Sequence, residues 1–280
     1  MTHSAVINIG KITFSYLISR ILKRSFHAGW PLAVSIEPTN RCNLRCPECP
    51  SGNDTLKRSR GFMDRAMFTS LIDQLGPNLL YLTLYFEGEP YLHPDFFDFV
   101  NYAASKGIYV VTSTNGHFLD PVSADKTVRS GLKKLIISLD GYDQASYEQY
   151  RRGGDFGKVI SGVKNLAKAR NLQKSKKPEI ELQCLLFSTT ENRKAEIRSL
   201  GLESGADRVV FKTAQFYGYK MGNPLMPSSK ANSRYSRDHT GNFRLRAHQP
   251  NSCFRMWSSC VITWDGLVVP CCFDKDADHV

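Results

Sequence analysis

Short apolar runs alternate along the chain with longer stretches in which apolar positions recur every three or four residues. The runs at 32–36, 81–86, 108–112, 135–139, 180–187 and 208–211 are rich in β-branched and aromatic residues and predict strands. Between them, 66–75, 95–106, 121–130, 155–173 and 191–204 carry the helical period. Strand and helix follow each other in units of roughly 25 to 45 residues, room enough for a parallel strand and its crossover helix. The expected fold class is therefore α/β, a partial (β/α)6 barrel of the TIM type. Functional groups of such a fold gather at the C-terminal ends of its strands.

Both ends of the chain depart from this rhythm. Over 6–26, Ile7, Phe14, Leu17, Ile18 and Ile21 recur at helical spacing with Lys11, Arg20, Lys23 and Arg24 interleaved, which predicts an amphipathic N-terminal helix. It reads as too interrupted by charge to span a bilayer, and it lacks the cleavage site of a signal peptide. The first expectation is packing on the following domain; contact with a membrane surface is the second. Beyond Lys212 the alternation stops, and 216–250 is rich in Gly, Pro, Ser, Asn and basic residues, with Asp238 its only acid. A linker or substrate-facing loop is expected there. A strand at 261–264, an Asp265-Gly266 turn and a second strand ending at Cys271 and Cys272 then predict a small cysteine-rich hairpin. The expected divisions are 1–30, 31–215, 216–252 and 253–280.

Composition narrows the class. At 280 residues and 41% hydrophobic the chain can bury a large core. Its 37 basic and 26 acidic residues leave a formal charge of +11, which permits an anionic partner without demanding one. Eight cysteines fall as Cys42, Cys46 and Cys49, then Cys184 alone in an apolar run, then Cys253, Cys260, Cys271 and Cys272. Clusters at opposite ends of the chain suggest metal ligation in a reducing, cytoplasmic compartment, not a disulfide framework. Cys184 reads as a small buried hydrophobe.

The predicted strands end in Glu37-Pro38-Thr39-Asn40, Phe86-Glu87-Gly88-Glu89-Pro90, Thr112-Ser113-Thr114-Asn115-Gly116 and Ser138-Leu139-Asp140-Gly141. Each alone is an ordinary turn. Beside a loop of three thiols they read as one site. Three is awkward for disulfides, and a structural zinc takes four ligands. A 4Fe-4S cluster held by three cysteines keeps its fourth iron open.

Cys-x3-Cys-x2-Cys, followed by Gly88-Glu89-Pro90 after the second strand, resembles the radical S-adenosylmethionine (radical SAM) superfamily from about 32 to 212. The resemblance implies that Cys42, Cys46 and Cys49 hold a 4Fe-4S cluster whose open iron chelates S-adenosyl-L-methionine. An electron then cleaves the sulfonium to methionine and a 5'-deoxyadenosyl radical. Gly88, Glu89 and Pro90 match the family's Gly-Gly-Glu-Pro motif, which receives the cofactor's ammonium; Glu87 replaces its first glycine and puts the local backbone shape in question. Ser138 and Asp140 match polar residues that face the ribose. Arg151 or Arg152 could supply a cation for the cofactor's carboxylate, a solvated basic turn being the other reading, and Gln183 could face the cavity. Cys253-x12-Gly266-x4-Cys271 resembles the start of a SPASM domain, implying an auxiliary iron-sulfur cluster with Cys253 and Cys271 as ligands and Cys260 and Cys272 unassigned. The SPASM pattern continues beyond Val280, so the sequence is expected to be a piece of a longer protein.

A peptide substrate and an electron donor such as flavodoxin or ferredoxin are what the resemblance implies. The second reading is an oxidoreductase of a small-molecule metabolite. A different class, a non-catalytic zinc-stabilised module binding nucleic acid, has less in its favour: it needs neither a barrel nor a Gly-Glu-Pro loop, and no aromatic-interleaved RNA-binding motif is present. No nucleic-acid partner is expected.

Overall fold

The computed structural model describes residues 3–247 and 253–280. The chain opens with α1 (His3–Leu22) and β1 (Ala33–Ile36), and the thiol loop follows. It continues through α2 (Arg65–Leu75), β2 (Tyr81–Thr83), α3 (Phe96–Ser105), β3 (Tyr109–Thr114), α4 (Pro121–Arg129) and β4 (Lys134–Ser138). After these come α5 (Gln144–Glu148), α6 (Phe156–Leu172), β5 (Glu179–Leu186), α7 (Lys194–Glu203) and β6 (Arg208–Thr213). Short elements complete it: β7 (Tyr235–Arg237), β8 (Phe243–Leu245), α8 (Arg255–Ser258), β9 (Ser259–Ile262) and β10 (Val268–Val269).

Strands β1 to β6 lie side by side in chain order, all parallel, with Ala33 opposite Tyr81, Tyr81 opposite Tyr109, Val111 opposite Lys134, Lys134 opposite Glu179 and Glu181 opposite Arg208. All six predicted strands and all five crossover helices are present. Strand β2 is shorter than its apolar run, because the chain leaves the β1 pairing after Thr83 and turns toward the site. Helix α5 was not foreseen, since five residues are too few for periodicity; its signal is a capping box in which Asp143 accepts from the Ser146 N–H and Ser146 Oγ accepts from the Asp143 N–H. Three helices start where an aspartate accepts from N–H groups of the first turn: Asp64 for α2, Asp120 for α4, Asp155 for α6.

The main core lies between sheet and helices, with Val34, Leu82, Val110, Ile137 and Leu182 meeting Ile72, Val100, Val163 and Leu166, and with Phe68 and Phe99 stacked at 4.1 Å. The predicted C-terminal hairpin is present but begins two residues earlier and ends before the cysteines. Strand β9 pairs parallel with β1, Ala33 opposite Ser259 and Ile36 opposite Ile262, and β10 closes antiparallel on it. The hairpin thus continues the barrel sheet past its first strand.

Helix α1 is long and apolar enough to cross a membrane by length and composition, with a mean hydropathy of 1.3. Of the four interleaved cations, Lys11 and Arg20 lie within the helix, and Lys23 and Arg24 lie beyond its end at Leu22. The described part of 216–252 folds over the barrel mouth: Phe216, Met226 and Tyr235 join Leu44, Cys46, Tyr150 and Phe187 in a second apolar cluster. Residues 248–252, the end of that expected linker, lie outside the described residues.

Glu191 anchors this segment. Its carboxylate accepts from the Ser228 N–H and hydroxyl at 2.8 and 2.7 Å, from the Ser229 N–H at 3.0 Å and from Asn232 Nδ2 at 3.1 Å. Burial works against ionisation, but these donors outweigh it and pull the carboxyl from 4.5 down to about 2. Hydrogen bonds to a charged group contribute about 1.5–3 kcal/mol. Glu191→Ala is therefore expected to speed tryptic cleavage at Lys230 by at least about tenfold, since about 1.4 kcal/mol is a tenfold population change. A depressed carboxyl stabilises above its unfolded value, so the anchoring should be whole above about pH 5 and decline as pH falls through 4.5 toward 2.

Candidate active site

The C-terminal ends of β1 to β5 bring the predicted residues to one place. The thiol loop leaves β1 and is tied down from both sides: the Glu89 N–H donates to the Arg41 carbonyl at 2.8 Å, and Asn115 Nδ2 donates to Asn43 Oδ1 at 2.7 Å. Gly88 makes the first tie possible. Its φ is +73°, and a Cβ there would stand 2.6 Å from the Thr39 carbonyl oxygen and 2.7 Å from that of Arg41.

Glu89 is 1% exposed. Its carboxylate accepts from Thr114 Oγ1 at 2.8 Å, the Asn115 N–H at 2.7 Å and the Tyr91 N–H at 3.1 Å, at the head of the short 3-10 turn Pro90–Leu92. Burial outweighs these donors and lifts its carboxyl to about 7. Among the described residues no cation bonds to this carboxylate, Arg151 acting on it only from farther off, so its charge gains from a cationic ligand.

Cys46 is buried, and Cys42 and Cys49 are partly so. Donors point at the sulfurs: the Leu44 N–H lies 3.5 Å from Cys42 Sγ, and Arg151 Nη1 lies 3.8 Å from Cys46 Sγ. Burial pushes the Cys42 thiol up to about 11 and Cys49 up to about 12, and raises Cys46 as well. Among the described residues no three His, Cys, Asp or Glu side chains come within reach of one metal ion, as a zinc centre would need. A cubic iron-sulfur cluster asks for something else, because each cysteine holds a different iron. Two buried hydroxyls nearby, Ser51 Oγ and the Tyr147 OH, have no hydrogen-bond partner among the described residues, as expected where a ligand belongs. The residues present thus fit a cluster with its cofactor.

Arg151 and Asp140, predicted separately, are bonded to each other. Arg151 Nε donates to Asp140 Oδ2 at 2.6 Å, and Asp140 Oδ1 accepts from the Leu185 N–H at 2.6 Å. Arg151 is therefore no solvated turn, and both Asp140 oxygens are engaged. Arg152 instead faces the outer side of the thiol loop. Ser138 ends β4 in register with half-buried Gln183, while Cys184 points into the core at 0% exposure.

Sequence reasoning flagged Glu87 only as a departure. The structure buries it at 6% exposure and pairs it with Lys275 Nζ at 2.9 Å. Burial alone would raise the Glu87 carboxyl, but Lys275 and Ser51 hold it below its ordinary value. The Cys49 thiol donates to Glu87 Oε2 at 3.5 Å, so the C-terminal segment reaches a predicted cluster ligand through one ion pair. A second buried pair was missed: Arg58 donates to both oxygens of Glu37 at 2.8 Å, and Arg58 Nε donates to the Lys275 carbonyl. No local signal joins residues so far apart in the chain.

Cys271 lines a cavity of about 700 Å3 with Pro50, Asn53 and Tyr217, and Cys253 is exposed before α8. The described cysteines of the hairpin do not form a complete ligand set.

An open parallel half-barrel with a three-thiol loop at its mouth defines an iron-sulfur enzyme class. Residues 36–172 match the radical SAM superfamily and residues 253–280 the SPASM iron-sulfur cluster-binding domain; the chain belongs to the radical SAM superfamily. It is 28% identical over 260 residues to the PqqA peptide cyclase of Gluconobacter oxydans, covering 86% of this chain and 70% of that protein. It is 30% identical over 148 residues to the AdoMet-dependent heme synthase of Methanosarcina barkeri, covering 50% of this chain and 40% of that protein. Streptococcus suis SuiB bound to S-adenosylmethionine shares the fold with a TM-score of 0.67 at 15% identity, over 91% of this chain and 63% of that one. The superfamily's cofactors are a 4Fe-4S cluster and S-adenosylmethionine, and the SPASM domain adds an auxiliary iron-sulfur cluster.

Proposed function

We propose that the protein is a peptide-modifying radical SAM enzyme working in the cytoplasm. One observation carries this reading: three thiols, two of them met by N–H donors, share the strand ends with a buried carboxylate to which no cation among the described residues bonds directly. When bound, the cluster and S-adenosylmethionine supply a 5'-deoxyadenosyl radical that abstracts hydrogen from a substrate. Cys42, Cys46 and Cys49 serve as thiolate ligands. Arg151 steadies the charge on Cys46 and is itself held by Asp140. Glu89, with the backbone at Gly88, orients the cofactor's ammonium, and Ser138 offers a hydroxyl toward its ribose. Pro90 starts the turn that points the Tyr91 N–H at Glu89. Phe187, Phe216 and Tyr235 keep water from the mouth.

The peptide substrate is supported by the cyclase of Gluconobacter oxydans, named for its peptide. An electron donor, a flavodoxin or ferredoxin, would dock on the outer face of the thiol loop, where Arg41, Arg45, Arg152 and Arg60, the last paired with Asp54, line a cavity of about 1420 Å3 that reaches Cys42. Such donors are acidic proteins, and a basic rim speeds their docking.

Anaerobically reconstituted protein is expected to contain iron and sulfide and, given dithionite, to release 5'-deoxyadenosine and methionine from S-adenosylmethionine. In an extract of the native cell, mass spectrometry should find a peptide whose mass changes only with the protein present. Zinc as the bound metal, with no 5'-deoxyadenosine, would overturn the enzyme reading; an altered metabolite and no altered peptide would overturn the substrate.

A further inference from the structure

Helix α1 is assembled inside out. Its buried side is Ala5, Asn8, Ile12, Ser15 and Ser19. The polar members are used by the chain that folds back on them. Asn8 Nδ2 donates to the Trp30 carbonyl at 2.8 Å, and Asn8 Oδ1 accepts from the Trp30 N–H at 2.7 Å. Ser19 Oγ donates to the Phe26 carbonyl at 2.8 Å and accepts from its N–H at 2.9 Å. The outer side carries Val6, Ile7, Phe14, Leu17 and Ile21, from 49% to 75% exposed. At about 100° per residue, these five fall in a band about 100° wide, opposite the buried one.

A helix on the surface of a water-soluble domain normally does the reverse. A contiguous apolar stripe of this kind marks a site that something covers. Charge says what. No acidic residue precedes Glu37, while Lys11 lies just beyond one edge of the stripe, Arg20 just beyond the other, and Lys23 and Arg24 directly after the helix. Phe26 and Trp30 are half exposed in the segment that follows. Cations flanking an apolar face on both sides, with aromatic residues at its end, suit the lipid-water boundary, where Lys and Arg reach anionic headgroups while the apolar side chains enter the acyl layer. A protein partner or a second copy would cover the stripe without calling for unopposed positive charge. Spanning is also disfavoured, because the other face of α1 is committed to residues 26–30, and Tyr16 packs edge-on against Phe254 and Trp257 at 5.0 and 5.4 Å. Crossing a bilayer would strip those polar groups of partners.

We propose that α1 lies flat on an anionic membrane and docks the catalytic domain there. The test is flotation of the full chain with vesicles of phosphatidylcholine, alone or mixed with phosphatidylglycerol. Binding to the anionic vesicles is expected to be at least about tenfold tighter, given about 1 kcal/mol per basic residue near the surface, and to weaken with salt. Trp30 emission should shift to the blue, read against Trp30→Phe. Phe14→Glu and Leu17→Glu, each with an unchanged circular dichroism spectrum, should abolish binding. Joint replacement of Lys11, Arg20, Lys23 and Arg24 by Gln should reduce it to the level of neutral vesicles. Absence of vesicle binding overturns the proposal, as does a dimer dissociated by Leu17→Glu that ignores vesicles. Retention through an alkaline carbonate wash would make the helix a span and overturn it equally.

Discussion

Cys46→Ala is expected to abolish S-adenosylmethionine cleavage and most of the visible absorption of the cluster, whereas Cys184→Ala leaves both near their original level. Cys46 is the buried member of the three and the one that Arg151 faces at 3.8 Å. Losing an outer partner of a metal ligand typically costs about 10- to 100-fold, so losing the ligand itself should exceed about 100-fold. The guanidinium, still held by Asp140, would then face an alanine and leave an iron unligated. Cys184 is equally buried, but its thiol meets the Leu185 carbonyl in the fifth strand and the Thr190 hydroxyl, outside the thiol loop. The pair of variants thus separates cluster chemistry from the general cost of removing a buried sulfur. Full cleavage by Cys46→Ala would remove the thiol loop from the mechanism.

Glu89→Gln is expected to weaken S-adenosylmethionine binding by about one to two orders of magnitude while the cluster still assembles. A charge-assisted hydrogen bond to a buried group is worth about 1.5–3 kcal/mol, and about 1.4 kcal/mol is a tenfold change in affinity. Glutamine keeps one carbonyl oxygen for Thr114 or Asn115, so the turn survives; what is lost is the negative charge that the ammonium answers. Cofactor titration followed by the cluster's spectrum checks this. Unchanged affinity with an intact cluster would place the ammonium elsewhere.

The six strands and their crossovers were legible because each run crosses the core and its composition records that burial. The thiol loop and Glu89 were legible because their chemistry sits in contiguous motifs. What stayed hidden depends on approach in space. Arg151 and Asp140 were each singled out, but only the turn of α5 brings them together. Glu87 stood out as the residue in a glycine's place, yet its partner Lys275 belongs to the far end of the chain. Periodicity showed that α1 has an apolar face without showing which face is buried; the answer lies in Asn8, Ser15 and Ser19, whose hydrogen bonds outweigh the pull of Phe14 and Leu17 toward a core. The stretch after Lys212 has a loop's composition, but Phe216, Met226 and Tyr235 suffice to fasten it.

The parallel pairing of β9 with β1 bears on how the molecule is made. Residues 33–36 emerge from the ribosome early, but the partner for their outer edge is 259–262, almost the whole chain later. Until then β1 presents an unpaired edge, the kind of surface that recruits other chains. Pairing over so long a separation is also slow, because the closure entropy is spent before any contact repays it. The C-terminal hairpin therefore has a task apart from any cluster: it covers the outer edge of β1, which the crossover strands leave unpaired. A nascent chain halted before residue 259 would hold the complete thiol loop on a sheet still open to aggregation.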